Sequence, residues 1–314
     1  MTLFNPQDKQ ILVTYHYVRD PDPKFSAIHS CPVAEFDRQI AFLKEQFAVV
    51  SIPEVFEAAR EKSDKRVCAV TFDDGLKDNF ENAVPILEKH AVKHATFFPI
   101  TETFENVLPA THKIHIILSY VPTEKLVEEF NVFLRETNPD KVATYTIPKD
   151  RRITEARKVW DDVFTANFKE TMNIIPLEMR DAFLQRVFLT LGLDEKEFAR
   201  DLFMSTVEIE ELGRKGFAIG SHGHTHTPFD RLGEKEVRHE VIKSKEGLGR
   251  ILGREVTLLS YPQGGAPEYA SVVLKEEGFT HALTTEKRGV SETDSQFRIP
   301  RYDTNNIRDF LEKV

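Results

Sequence analysis

Short apolar segments alternate with amphipathic ones along the chain. Apolar residues recur at helical spacing at Phe36, Ile40, Leu43 and Phe47. Six segments rich in β-branched and aromatic residues are typical of buried parallel strands: QILVTYH (10–16), RVCAVTF (66–72), HATFFPI (94–100), FAIGSH (217–222), VTLLSYP (256–262) and HALTT (281–285). Strands that alternate with helices predict an α/β fold, either a barrel or a doubly wound sheet.

The segment 103–201 departs from this alternation, because it is rich in charge and carries few strand signals. Leu126, Phe130 and Phe133 lie at helical spacing within it. We predict a helical insertion over 103–201, projecting from an α/β body formed by residues 1–102 and 202–314. Two interpretations of this insertion stay open: a structural cap, or a lid that shapes a substrate cleft.

Composition narrows the class of protein. The chain has 314 residues, 40% hydrophobic and 30% charged, which fits one large globular domain or two smaller ones. Its net charge of -9 argues against nucleic acid as a partner, since nucleic-acid binders need a basic surface. Cys31 and Cys68, the only cysteines, form no CxxC motif, so neither a disulfide framework nor a sulfur-ligated metal is predicted.

The sequence contains no long apolar run that would predict a membrane span. The first sixteen residues lack the basic and apolar regions of a signal peptide. We therefore expect a soluble, cytoplasmic protein, provided that Met1 is the natural start.

Polar side chains directly follow four of the predicted strands. In α/β proteins of either kind, ligands bind at the carboxyl ends of strands, so these side chains are expected on one rim. Carboxylates and imidazoles brought together from separate strands suit zinc and similar divalent ions. The residues are His16 after the first strand, Asp73 and Asp74 after the second, His222, His224 and His226 after the fourth, and Gln263 after the fifth.

The spacing within these groups suggests different roles for neighbouring residues. His222 and His226 lie four positions apart and can both approach one ion, while His224 points elsewhere. Adjacent Asp73 and Asp74 point in different directions, so one can ligate while the other acts as a base. A pair of surface histidines and an ordinary Asp-Asp-Gly turn remain the alternatives.

Two segments carry a resemblance to a known family. AVTFDDGLKDNFENAVPILEKHAVKHATFFPI (69–100) and GFAIGSHGHTH (216–226) resemble the polysaccharide deacetylase family with the nodulation-protein-B-like (NodB) domain, carbohydrate esterase family four. The similarity covers the chain apart from the insertion. It implies an α/β fold of the distorted (β/α)7 TIM-like barrel type and hydrolysis of the N-acetyl amide of an amino sugar.

The resemblance also implies roles for individual residues. Asp73 corresponds to the catalytic base, and Asp74, His222 and His226 correspond to the ligands of one divalent metal ion. We expect zinc, with nickel, cobalt and manganese as alternatives. In the implied mechanism the metal lowers the pKa of a bound water, and Asp73 removes a proton from that water.

The third family motif corresponds to the segment SYPQG. By analogy the backbone N–H of Gln263 stabilises the oxyanion, and Tyr261 and His224 are expected to contact substrate. Ser260 stands where the family usually has an arginine that holds the base. Arg301 in RIPRYD is predicted to supply that charge, the alternative being an ordinary surface arginine.

The general acid is the second departure from the family pattern, because the usual late Leu-x-His motif is absent. His16 ends its strand at the correct rim, and relatives with a rearranged motif order have their acid histidine in a similar position. We predict that His16 is the general acid. The alternative is a histidine that only hydrogen-bonds beside the site.

The predicted function is a metal-dependent carbohydrate N-deacetylase, a hydrolase of linear amides, in bacterial surface polysaccharide or lipopolysaccharide biosynthesis. The expected substrate is an acetamido sugar in an oligosaccharide or in a nucleotide- or lipid-linked intermediate. A deformylase or other acyl-amide hydrolase is one alternative, and a catalytically silent carbohydrate-binding barrel is another. The sequence leaves the sugar, its linkage and the oligomeric state open.

Overall fold

The computed structural model describes residues 4–155 and 161–313. The strands are β1 (Gln10–Tyr15), β2 (Ala48–Val49), β3 (Val67–Asp74), β4 (Thr96–Pro99), β5 (Ala218–Ile219), β6 (Leu258–Ser260), β7 (His281–Leu283) and β8 (Tyr302–Asp303). The helices are α1 (Val33–Gln46), α2 (Ile52–Arg60), α3 (Val84–Lys89), α4 (Ala110–Tyr120), α5 (Thr123–Thr137), α6 (Val142–Tyr145), α7 (Val163–Ile174), α8 (Leu177–Leu191), α9 (Glu195–Leu202), α10 (Thr206–Arg214), α11 (Glu234–Leu252), α12 (Glu268–Glu276) and α13 (Thr304–Leu311).

Seven parallel strands form a closed ring. One sheet runs in the order β5-β4-β3-β1-β8, with β2 paired to β3, and a second sheet pairs β6 with β7. Parallel bridges between Ser221 and Leu259 and between Leu283 and Ile299 join the two sheets at both edges. Closure removes the open edges of the sheet and brings the carboxyl ends of all seven strands to one rim.

Burial explains the strand sequences. Every residue of β3 is buried, which is why VCAVTFDD reads as a continuous apolar run up to its two carboxylates. The outer helices are amphipathic: α1 buries Phe36, Ile40 and Leu43 against the barrel. At the start of α10, Ser205 and Glu208 form a capping box that satisfies backbone N–H groups of the first turn.

The chain divides into two compact units. The first comprises residues 1–20, 30–107 and 196–314 and contains the barrel, and the second comprises 21–29 and 108–195. Residues 21–29 belong to the second unit, although they lie within the range 1–102 predicted for the barrel. A physical reason is the hydrogen bond that the N–H of Ala27 donates to Ser119 Oγ on α4, at 3.0 Å.

The second unit has its own core of aromatic rings. Phe183 on α8 packs edge-on against Phe130 on α5 and Phe168 on α7, with ring centroids 5.2 and 6.2 Å apart. Buried Asn131 accepts from the N–H of Ile147 and donates to its carbonyl, which holds the chain that follows α6. The roles of cap or lid for this unit stay predictions.

The predicted fold class, an α/β barrel of the (β/α)7 type with a large helical insertion, is confirmed. Each of the six predicted strand segments contains a strand. Two strands were not predicted, β2 and β8, because a strand of two residues carries no periodic signal. Within the described ranges, no helix is long and apolar enough to cross a membrane.

Candidate active site

The first group of site residues lies where β3 ends. Asp73 and Asp74 are the last two residues of this strand and are buried. Asp74 has a φ of +71° and Gly75 a φ of +74°, so the chain turns sharply through two left-handed residues. A Cβ at Gly75 would lie 2.6 Å from the Cβ of Pro99, so only glycine fits here. The turn points the two adjacent carboxylates in different directions, and Asp74 adopts a backbone conformation that is unusual for a residue with a side chain.

The second group lies in the loop after β5. His222 and His226 are buried, and His226 has a φ of +63°. The carboxylate of Glu240 on α11 accepts from the N–H groups of His224 and Thr225, both at 2.8 Å. Two backbone donors on one buried carboxylate hold the loop in place, so Glu240 sets the separation of the two histidines.

Three ligand atoms converge between these groups. Asp74 Oδ1 lies 3.4 Å from the Nε2 atoms of both His222 and His226. One ligand atom from each residue lies within 4.8 Å of the other two, and all three residues are buried. Two imidazoles and one carboxylate form a donor set typical of catalytic zinc sites, which leave further coordination positions for water and substrate.

Hydrogen bonding orients His222 toward the shared centre. Its Nδ1 lies 2.7 Å from the carbonyl oxygen of Ser260, which can only accept, so Nδ1 carries the proton and Nε2 presents its lone pair. Burial lowers the pKa of His222, but the carboxylates of Asp73 and Asp74 raise it more, and the result is a raised pKa. Protons and a cation therefore compete for the same nitrogen, and the chemistry of the three donors fits a divalent metal.

Asp73 forms a buried, bidentate ion pair with Arg301. Nη1 of Arg301 donates to Oδ1 of Asp73 at 2.9 Å, and Nη2 donates to Oδ2 at 2.8 Å. Ser260 Oγ donates to the same Oδ2 at 3.1 Å. The arginine is 1% exposed, and its remaining donors are used by the hydroxyls of Thr14, Thr71 and Ser260 and the carbonyl of Thr284.

This environment keeps Asp73 ionised. Burial raises the pKa of Asp73, but the charges of Arg301 and His222 and the hydrogen bonds from Arg301 outweigh burial, and the pKa falls to about 2. The charge of His16 also lowers it. Asp73 is thus a carboxylate at neutral pH, held in one orientation beside the three convergent donors.

The other residues predicted for the site lie at or near the same rim. His16 directly follows β1 and is half-buried. Gln263 is exposed and has a φ of +54° in the turn after β6. His224 is half-buried, and its Nδ1 lies 2.9 Å from Thr101 Oγ1. Their chemical roles stay predictions.

Tyr261 is placed differently from its predicted role in substrate contact. Its side chain is 1% exposed and packs edge-on against Phe229, with ring centroids 5.8 Å apart. Burial raises its pKa to about 12. The structure therefore gives the predicted substrate contact no support, because this side chain belongs to the core beneath the loop.

Three residues that shape the site carried no signal that the sequence analysis used. Glu240 lies in the middle of α11, where charged residues usually face solvent. Asp78 and Asn79 follow the Asp-Asp-Gly turn and are both buried, and Asn79 begins a short π-helix over Asn79–Ala83. The position of Asp78 and Asn79 shortly after the Asp-Asp-Gly turn is the one sequence feature that could have identified these two residues.

The structure is a closed α/β barrel in which a buried Asp–Arg pair lies next to a carboxylate and two histidines, at the carboxyl ends of strands where α/β barrels bind their ligands. The sequence model of the polysaccharide deacetylase family matches residues 60–128 and 186–282, more than half of the chain. The protein belongs to the polysaccharide deacetylase family. The unmatched residues between the two matched parts lie in the helical insertion.

Individual relatives agree with this family. YxkH of Bacillus subtilis (strain 168), whose name assigns it to the polysaccharide deacetylases, is 20% identical over 168 residues, which are 53% of this chain and 58% of that protein. The chain thus matches little more than half of the length of this relative. Two solved structures share the fold: the deacetylase PplD of Streptococcus pyogenes in complex with acetate, and IcaB from Ammonifex degensii.

The structural agreement extends over nearly the whole chain. PplD is 16% identical with a TM-score of 0.58, over 95% of this chain and 96% of that chain. IcaB is 16% identical with a TM-score of 0.57, over 94% of this chain and 91% of that chain. At this level of identity, the likeness shows the fold.

Proposed function

We propose that this protein is a metal-dependent carbohydrate N-deacetylase that hydrolyses the acetamide of an amino sugar. The observation that carries the proposal is the convergence of Asp74, His222 and His226 beside the ion-paired base Asp73. Membership of the polysaccharide deacetylase family supports the substrate class. A divalent ion, for which we propose zinc, would be held by Asp74 Oδ1 and by Nε2 of the two histidines.

The residues of the chain supply the remaining chemistry. A bound divalent ion would polarise the acetyl carbonyl and lower the pKa of water at this site. Asp73 receives a proton from the attacking water, because its carboxylate is ionised and held by Arg301. The backbone N–H of Gln263 stabilises negative charge on the acetyl oxygen.

The departing amine needs a proton before the carbon–nitrogen bond breaks. We assign this step to His16, which lies at the end of β1 and whose charge acts on Asp73. The site therefore has two separate proton-transfer groups, one for water and one for the amine.

We propose an acetamido sugar in an oligosaccharide or in a nucleotide- or lipid-linked intermediate as substrate, and bacterial surface polysaccharide or lipopolysaccharide biosynthesis as the pathway. Membership of the polysaccharide deacetylase family supports an acetamido sugar as substrate. The surface pathway is the general expectation for sugars of this class. We propose the cytoplasm as the location.

The test combines metal analysis with activity. Wild-type protein reconstituted with zinc is expected to hold about one ion per chain by mass spectrometry. His222→Ala and His226→Ala should lose it, while His239→Ala, an exposed histidine on α11, should retain it. Asp73→Asn should keep the metal and lose acetate release from a panel of acetamido sugars by a factor of about 100 or more.

Three results would contradict the proposal. Equal zinc content in wild type and in both histidine variants would mean that these residues do not hold the metal. Formate release in place of acetate would show that the site is that of a deformylase. Sugar binding without any hydrolysis, equally strong in wild type and Asp73→Asn, would show that the protein is a carbohydrate-binding protein.

A further inference from the structure

The loop after β1 that carries His16 is held by side chains from a different element. The pairing of β1 with β3 ends at Tyr15 and Phe72, and its pairing with β8 ends at Thr14. His16 therefore lies beyond the sheet, and its backbone needs hydrogen-bond partners from elsewhere.

Asn79 supplies one such partner for His16. Its Nδ2 donates to the carbonyl oxygen of His16 at 2.7 Å and also lies 3.1 Å from Oδ1 of Asp78. Asn79 is 0% exposed, so water does not compete for these bonds. The amide nitrogen of Asn79 thus bonds both to the carboxylate of its neighbour Asp78 and to the His16 peptide.

Two further side chains of the same segment hold the next turn of the loop. Asn82 Nδ2 donates to the carbonyl oxygen of Val18 at 2.9 Å. The carboxylate of Asp78 accepts from the N–H of Val18, and Arg19 Nε lies 3.7 Å from its Oδ2. Asp78, Asn79 and Asn82 together form what we call the loop clamp.

The loop clamp is continuous with the residues that hold the proposed base and metal. Asp73 and Asp74 end β3, and the clamp begins four residues later at Asp78, directly before the π-helix that leads into α3. A π-helical turn in this position is a common feature of functional sites, because it redirects side chains that a regular helix would turn away. One rigid segment therefore sets the positions of the base and of the loop that carries His16.

We infer that Asn79 is a positioning residue for His16, holding its backbone so that the imidazole can protonate the departing amine. This inference rests on the proposed function, in which His16 is the general acid. It assigns a task to a buried amide that is itself neither a proposed metal ligand nor a proposed substrate contact.

The experiment compares two reactions of the zinc-reconstituted protein that differ in their need for an acid. Amide hydrolysis of penta-N-acetylchitopentaose releases an amine, which must be protonated as it leaves. Hydrolysis of 4-nitrophenyl acetate releases a phenolate, which leaves without a proton. Both reactions use the same metal and the same base, so their ratio reports on the general acid alone.

Asn79→Ala and Asn79→Leu, the second of which keeps the side-chain volume, should lower kcat for the amide by a factor of about 10 to 100, with zinc content retained. The hydrolysis of 4-nitrophenyl acetate should be nearly unchanged. His16→Ala should show the same selectivity, and the double variant His16→Ala/Asn79→Ala should be no slower than His16→Ala, because the two residues act through one group.

Asn131→Leu is the matched control, since it removes a buried amide that donates to a backbone carbonyl in the helical unit. It should lower thermal stability without changing the ratio of the two rates. Asn79 variants that slow both reactions equally, or neither, would overturn the inference while the proposed function stands. A wild type that is inactive on the whole acetamide panel would instead overturn the proposed function, and the inference with it.

Discussion

At the scale of single residues, Arg301 replaces a side chain that the family motif usually supplies from another strand. Ser260 occupies that motif position, and its hydroxyl lies between Asp73 and the guanidinium. Arg301 approaches from 228 residues away in sequence and makes two parallel bonds to the carboxylate. A planar fork of donors is the property that arginine has and lysine lacks, so the charge and the geometry are both required.

Replacing Arg301 with lysine should lower deacetylation by a factor of about 10 to 100, because the carboxylate keeps a charge partner but loses its fixed orientation. Arg301→Met should cost about 3–5 kcal/mol in free energy of unfolding, because it leaves Asp73 buried and unpaired. Denaturant titration and acetate release measure the two effects.

Arg288→Lys is the control for this substitution. Arg288 also binds carboxylates through several nitrogens, but its side chain is 37% exposed and lies outside the site. Arg288→Lys should leave the rate of deacetylation unchanged. Full activity of Arg301→Lys would show that charge alone maintains the base.

At the scale of elements, the segment from β3 through the π-helix combines several roles within eleven residues, 73–83. It provides the proposed base, one metal ligand and the loop clamp. The left-handed turn at Asp74 and Gly75 separates the proposed base from the proposed metal ligand.

Burial of Asp78 within the loop clamp changes the pKa of its carboxyl. Burial raises this pKa to about 7, Glu81 and Asp74 also raise it, and Arg19 and the N–H of Val18 lower it.

Stability should therefore depend on pH through Asp78. A carboxyl whose folded pKa is above its unfolded value favours the folded state at low pH, and this contribution is lost as the pH rises through about 7. Between pH 6 and pH 8 the wild type should lose about 1 kcal/mol of unfolding free energy from this group. Asp78→Asn should remove that part of the dependence, as measured by denaturant titration at each pH.

The sign of this effect makes the prediction specific. Salt-bridged carboxylates with lowered pKa values act only at acid pH, so they leave the interval from pH 6 to pH 8 unchanged. An identical pH dependence in wild type and Asp78→Asn would assign the effect to other groups, the histidines foremost.

At the scale of the whole molecule, the proposed metal ligands come from parts of the chain far apart in sequence. Asp74 ends β3, and the two histidines follow β5 on the other side of the helical insertion. Because these three residues come together only when the barrel is folded, we expect the binding of a divalent ion to be coupled to folding.

Zinc should therefore raise the melting temperature of the wild type. At a free zinc concentration of about 100 times Kd, the gain is about 2.7 kcal/mol, which amounts to several degrees for a chain of this size. His226→Ala should show no such shift, whereas His239→Ala should behave as the wild type. An equal shift in all three proteins, measured by differential scanning calorimetry, would mean that zinc stabilises the fold from some other position.

The sequence by itself determined the features that depend on neighbouring residues. Apolar periodicity marked six of the seven strands of the barrel, and residue type and spacing marked Asp73, Asp74, His222 and His226 as one group. These features are local because strand pleating, turn geometry and the reach of a histidine pair are set within a few residues.

Only the tertiary structure decided the contacts between distant positions. Closure of the barrel by β8 brought Arg301 onto Asp73, and the packing of α11 placed the carboxylate of Glu240 beneath the histidine loop. Tyr261 entered the core for the same kind of reason, although it adjoins a family motif. Nothing local distinguishes a buried arginine or glutamate from an exposed one, because the partners that stabilise its charge are provided by the fold.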